Sequence, residues 1–178
     1  MLNRLVAPLV FIIALAALAF VMQTLGDSSS NKPLTSSELL KQYEIVEIAP
    51  PVASLTDKDG KKLDLLPLLT KPTLITFWSV NCGECETLLP LLNDFSNNHS
   101  QISQLLISER DEPKDAQEKL QSLNVGLTTN YDLDGSTVQS WEARTTMPAS
   151  FFVINGKVKY FFPGRISQEH LDALLTLQ

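Results

Sequence analysis

The only two cysteines of this chain stand three apart, in Cys82-Gly83-Glu84-Cys85. Before them runs the apolar stretch Ile75-Thr76-Phe77-Trp78-Ser79-Val80-Asn81, and after them a helical pattern that passes through Pro90. The apolar stretch reads as a buried strand, so the pair falls where a strand gives way to a helix N-terminus. Residues three apart on a helix share a face with Cα atoms about 5–6 Å apart, inside the window of about 4.4–6.8 Å that a disulfide needs. The fold must therefore present a strand, a turn and a helix with a thiol pair at the turn. Such a pair closes and reopens with little backbone movement.

A second apolar run stands near the start of the 178-residue chain, where no residue from Leu5 to Met22 is charged or strongly polar. As a helix it would measure about 27 Å, close to the roughly 30 Å hydrocarbon thickness of a bilayer. Arg4 and the α-amino group precede it and Asp27 follows, which favours a cytoplasmic N-terminus with the remainder outside. A cleaved signal peptide shares the short charged start and apolar core, with Thr24-Leu25-Gly26 as a small-x-small site, but the length of the run favours an uncleaved anchor. The expected parts are an N-terminal signal anchor over residues 1–25, a tether and lead-in over 26–48, and a folded domain over 49–178.

The formal charge is −6, from 14 basic and 20 acidic residues, without any cluster of lysine or arginine. Nucleic acid is thereby disfavoured as a partner. An export segment would place the cysteines in an oxidising compartment, where a dithiol stays reduced only if it is actively re-reduced.

Along the chain, Ser28-Ser29-Ser30-Asn31 belongs to a polar tether, and Ser37 to Tyr43 is read as a brief helix that Pro50-Pro51 keeps from extending. Ser54 to Leu63 reads as two short strands around Asp59-Gly60. Strand and helix patterns then alternate: strand from Thr73, helix from Cys82, strand from Ile102, helix from Pro113, short strand to Tyr131 and helical turns from Ser136. Two strands joined by Asn155-Gly156 and a closing helix after Ser167 complete a βαβ unit followed by ββα. Crossover helices should cover both faces of the sheet.

Several features together carry a family resemblance. Trp78 lies four positions before Cys82, Pro90 lies eight after it, and Met147-Pro148 precedes the Ala149-Ser150-Phe151-Phe152-Val153-Ile154 strand and its Asn-Gly turn. In these the chain resembles the thioredoxin superfamily, within it the membrane-anchored TlpA-like group that includes ResA and CcmG/DsbE. The match runs from near Ala49-Pro50-Pro51 to the end of the chain. The resemblance implies an α/β thioredoxin-like fold, a central mixed β-sheet flanked by helices, and a redox-active Cys82-Cys85 disulfide with no cofactor. It implies a single-pass protein of the bacterial inner membrane whose catalytic domain faces the periplasm. It also implies a protein disulfide as substrate, a membrane-bound thiol protein as electron donor, a cis Met147-Pro148 peptide that turns the Met147 backbone towards the cysteines, and Trp78 beside the site as a candidate substrate contact. Departures from the group are Asn81 where an aromatic residue often stands, Glu84 where proline is common, and the absence of a Gly-Val-x-Gly loop.

The chemistry follows from the residues. Only a thiolate attacks a disulfide, and the helix N-terminus favours the anion, so Cys82 is the attacking thiol and Cys85, one turn in, the resolving one. Glu84, with Gly83 in the intervening pair and Glu86 beyond it, sets the local field. A carboxylate there disfavours the thiolate and makes the couple more reducing, which points to a reductase. Two alternatives stand beside this reading. A structural disulfide closing so short a loop would add only about 2 kcal/mol in the chain-entropy model. A copper- or partner-binding module would need further ligands for the soft pair, from His99, His170 or carboxylates, and none has ligand spacing. No metal is therefore assigned. Covalent haem is excluded at this motif because Glu86, not histidine, follows Cys85.

Overall fold

The computed structural model describes residues 34–143 and 146–177. The apolar run Leu5–Met22, and with it the choice between anchor and signal peptide, lies outside the described residues. Among the described residues no helix is long and apolar enough to cross a membrane.

In chain order the elements are α1 (Ser36–Lys41), β1 (Glu44–Ile48), β2 (Leu55–Thr56), β3 (Lys62–Leu63), a 3₁₀ turn (Leu66–Leu68), β4 (Thr73–Trp78), α2 (Cys85–Asn98), β5 (Ser103–Glu109), α3 (Pro113–Ser122), β6 (Thr129–Asp132), α4 (Ser136–Ser140), β7 (Ala149–Ile154), β8 (Lys157–Pro163) and α5 (Gln168–Leu175). One mixed sheet holds the strands in the order β1-β8-β7-β4-β5-β6-β2-β3. Strand β4 pairs in parallel with β5 on one side and antiparallel with β7 on the other. All six of its residues are buried, Thr73 and Thr76 among them, as a mainly apolar, uncharged run predicts for a strand covered on both faces.

The side chains of β4 alternate between two cores. Leu74 and Trp78 join Leu106, Phe152 and Phe162 beneath Leu88, Leu89, Leu92 and Phe95 of α2, Leu120 of α3, Leu171 and Leu174 of α5 and Leu40 of α1. Ile75 and Phe77 point the other way, to Ile107, Phe151, Val153, Val158, Val138, Trp141, Leu55 and Leu65. Helices cover both faces as expected, but unequally: α1, α2, α3 and α5 pack on the first, while only the short α4 and the loops around it close the second. Each large apolar side chain buried this way contributes about 1.5–3 kcal/mol.

Local signals set the helix ends. Thr35 and Glu38 form a capping box at α1, Pro113 occupies the first turn of α3, and α2 continues past Pro90 to Asn98. The Asn155-Gly156 turn has φ of +54° and +73°, the left-handed pair that a type I′ hairpin requires. The strand not foreseen is β1, which lies antiparallel on β8 at the sheet edge within the stretch assigned to the lead-in. Four of its five residues are exposed, so no apolar alternation marks it. Besides its backbone pairing and Ile45, which packs on the second core, it makes ion pairs, Glu47 with Lys157 at 3.4 Å and Glu44 with Lys159 at 3.8 Å.

At α5 the third position of a capping box is a histidine. The Nδ1 of His170 accepts from the backbone N–H of Ser167 at 3.2 Å and lies 2.7 Å from its hydroxyl, while the ring packs edge-on to Tyr43 and Phe162. Burial holds His170 below its ordinary pKa, with Glu169 opposing weakly. The unfolded chain takes up a proton near about pH 6.5 and the folded chain only at lower pH, so His170 contributes stability above that value that is lost as pH falls through the folded pKa. Thermal melts should therefore show His170→Gln, which keeps a capping acceptor but cannot titrate, losing less stability than the wild type between pH 7.5 and pH 5. Parallel losses in the two proteins would contradict this.

Candidate active site

Strand β4 delivers the chain to the site, and a tight turn connects it to α2. The N–H of Cys82 donates to the carbonyl of Ser79 at 3.1 Å, and that of Cys85 to the carbonyl of Cys82 at 3.1 Å. Cys82 and Cys85 form a disulfide with Cα atoms 5.3 Å apart, as the spacing requires. The two differ in access: Cys82 is half-buried, whereas Cys85 is 1% exposed and packs with Leu88 and Leu89. The N–H of Cys85 also points at Cys82 Sγ, 3.2 Å away. This donor belongs to the first turn of α2, so a negative charge on that sulfur would meet both a hydrogen bond and the positive end of the helix.

Both acidic residues beside the pair have cationic neighbours. Glu84, the residue before α2, is exposed and lies 3.7 Å from the guanidinium of Arg165, which also donates to Thr87 at 3.1 Å. Glu86 pairs with Lys119 of α3. The field expected from the two carboxylates is thus partly offset by cations that sequence spacing did not connect to them. Gly83 is exposed, and nothing lies within 4 Å of where a Cβ would stand, so the backbone there does not demand glycine.

Trp78 requires a correction. It is 0% exposed, its indole N–H donating to Thr129 at 3.0 Å, so it forms the floor beneath the turn and offers no exposed surface for a substrate contact. The peptide Met147-Pro148 is cis. Ala149 pairs with Phe77, which sets Pro148 beside the carboxyl end of β4, and the Pro148 carbonyl accepts from Gly164 N–H at 2.8 Å. Gly164 adjoins Arg165, so the Pro148 loop, the end of β8 and Glu84 form one connected rim around the cysteines. Met147 is half-buried and touches both cores.

Sequence reasoning missed Asp111. The run Glu109-Arg110-Asp111-Glu112 reads as a solvated helix entry, yet Asp111 is only 7% exposed. Its carboxylate accepts from Ser79 Oγ at 3.0 Å, from Val80 N–H at 3.1 Å and from Ser108 Oγ. It thereby fastens the turn before Cys82 to the end of β5. Arg110, with φ of +54°, bends the chain to make this reach, and its N–H donates to Asp132 at 3.0 Å. Local spacing offers no signal that separates Asp111 from its charged neighbours.

The histidines do not converge on the sulfurs. His99 follows the last residue of α2 while the cysteines stand at its start, about 20 Å away at about 1.5 Å per residue. Among the described residues no group of three or more His, Cys, Asp or Glu is arranged to hold a metal ion.

The model of the AhpC/TSA family matches residues 45–161, which includes the cysteine turn, Asp111 and Pro148. The chain belongs to the AhpC/TSA family. Within this thioredoxin-like family it is 27% identical over 115 residues to a thioredoxin-like protein of Haemophilus influenzae, covering 64% of this chain and 68% of that one. Among solved structures, dsbF of MTB, described in mixed oxidized and reduced forms, is 26% identical with a TM-score of 0.65, covering 75% of this chain and all of the other. A secreted Mycobacterium tuberculosis disulfide oxidoreductase homologous to E. coli DsbE shares the fold at 21% identity and a TM-score of 0.62, covering 71% and 96% of the two chains. StoA from Bacillus subtilis does so at 16% and 0.58, covering 71% and 97%.

Proposed function

We infer that the protein is a thiol-disulfide oxidoreductase that reduces protein disulfides through Cys82 and Cys85. The observation that carries this reading is the unequal exposure of a disulfide at a helix N-terminus, with the outer sulfur facing a backbone N–H. In the reduced protein the Cys82 thiolate attacks one sulfur of a substrate disulfide, forming a mixed disulfide and expelling the other substrate sulfur as a thiolate. Cys85 then loses its proton and attacks Cys82 Sγ, so that the second substrate sulfur leaves and the Cys82-Cys85 bond forms. Two electrons have passed to the substrate, and a dithiol donor must return two to the protein. By resemblance that donor is a membrane-bound thiol protein.

The reducing direction is supported by Glu84 beside the pair, whose field against the thiolate is small because the side chain is 66% exposed and paired with Arg165 in water. By resemblance the Met147 backbone, turned by the cis Met147-Pro148 peptide, is where an extended substrate strand would pair, and Arg165 lies on the same rim. The apolar run Leu5–Met22 supports an extracytoplasmic domain held at the membrane, and the M. tuberculosis neighbour is described as secreted.

The reduced protein should catalyse reduction of insulin disulfides by dithiothreitol. A redox titration against glutathione should give one two-electron transition nearer about −270 mV than about −120 mV. A potential at the oxidising end would overturn the direction, and no catalysis by the wild type would overturn the activity.

A further inference from the structure

We propose that Asp111 is the positioning residue that both fixes the Cys82 turn and sets the acidity of its thiol, and so deepens the oxidoreductase reading above, on which it rests. Three donors converge on the carboxylate from two segments: Ser79 Oγ and Val80 N–H from the turn, Ser108 Oγ from β5. All three are neutral, and none of the ion pairs among the described residues includes Asp111. Among the described residues its charge is therefore buried beside the site with no cation paired to it, in contrast to those of Glu84 and Glu86.

The geometry brings that charge close to the sulfur. Asp111 holds Val80, two residues before Cys82, and the turn is drawn tight by the Cys82 N–H to Ser79 carbonyl bond at 3.1 Å. Chain dimensions then put the carboxylate within about 10 Å of Cys82 Sγ. Two like charges at that separation, with an effective dielectric near 20, change a dissociation constant by about tenfold. The α2 terminus and the Cys85 N–H favour the Cys82 thiolate, and Asp111 opposes them from the other side of the turn. The acidity of Cys82 is the balance of these two effects.

Asp111→Asn separates charge from geometry. An asparagine with its oxygen towards Val80 N–H and Ser108, and its amide donating to Ser79, keeps all three contacts, because the Ser79 hydroxyl accepts as readily as it donates. Thiolate absorbance during pH titration of the reduced protein should show the Cys82 dissociation constant raised about tenfold in Asp111→Asn, and less than threefold in Glu84→Gln, whose charge is solvated. The Cys82-Cys85 couple, measured at a pH above the titration of both thiols, should become about 30 mV more oxidising in Asp111→Asn, the equivalent of that tenfold change. Asp111→Ala, which removes the contacts as well, should lower the melting temperature while raising the dissociation constant similarly. The proposal is overturned if Asp111→Asn leaves the Cys82 constant within twofold of wild type, whatever happens to the melting temperature. Because the titration reads the free thiol, its outcome stands apart from insulin reduction, which tests the activity.

Discussion

Cys85→Ala should accumulate covalent adducts through Cys82, and Cys82→Ser should accumulate none. On the proposed mechanism the wild-type mixed disulfide is short-lived because Cys85, the first residue of α2 with its Cα 5.3 Å from that of Cys82, attacks the shared sulfur. Without Cys85 that escape is closed, while the half-buried Cys82 keeps its access and its N–H donor. Non-reducing electrophoresis of whole-cell extracts should show the adducts, released by dithiothreitol, and mass spectrometry would name the client. Insulin reduction should fall to the uncatalysed rate in both variants. A binding module without redox chemistry predicts the reverse: no adducts from Cys85→Ala, and Cu(I) affinity that disappears with the same change.

Trp78→Ala should be the most destabilising single change around the site, costing about 3–5 kcal/mol. The indole is fully enclosed between α2 and the sheet, and its N–H satisfies Thr129. Domains of this size are stable by only about 5–15 kcal/mol, so the variant should sit near the edge of unfolding at ambient temperature. Trp78→Phe retains most of the packing and should lose about 1 kcal/mol for the hydrogen bond. Denaturant titration distinguishes the two costs. Insulin reduction by Trp78→Phe should remain close to wild type, because the ring supports the turn from below; a large loss of activity with stability intact would restore Trp78 as a substrate contact.

The parts of this architecture legible in the sequence are those whose signals are local. The buried runs of β4 and β7, the Asn155-Gly156 hairpin, the cysteine spacing and the helix start at Pro113 each rest on a few neighbouring residues, and the structure has them where they were expected. The misses need information from elsewhere in the chain. The edge strand β1 turns almost no side chain inward, so its existence depends on the free edge of β8. Asp111 is buried only because Arg110 bends the chain back towards Ser79, which stands 32 residues earlier. Arg165 meets Glu84 from a part of the chain far along the sequence, and spacing cannot reveal such a pair. For Trp78 the resemblance gives a place beside the cysteines without telling which side of the turn the side chain occupies, and the structure has it buried beneath.

The sheet changes character at β4, parallel towards β5 and antiparallel towards β7. The thiol pair stands at the carboxyl end of this seam strand, the kind of place where open α/β sheets hold their ligands. Two unrelated parts of the chain meet there. The parallel half supplies Asp111 and Lys119, and the antiparallel half supplies Pro148 and Arg165. On the proposed reading thiol acidity and substrate docking fall to opposite flanks, and an engineer can alter one flank's loops while leaving the other's in register.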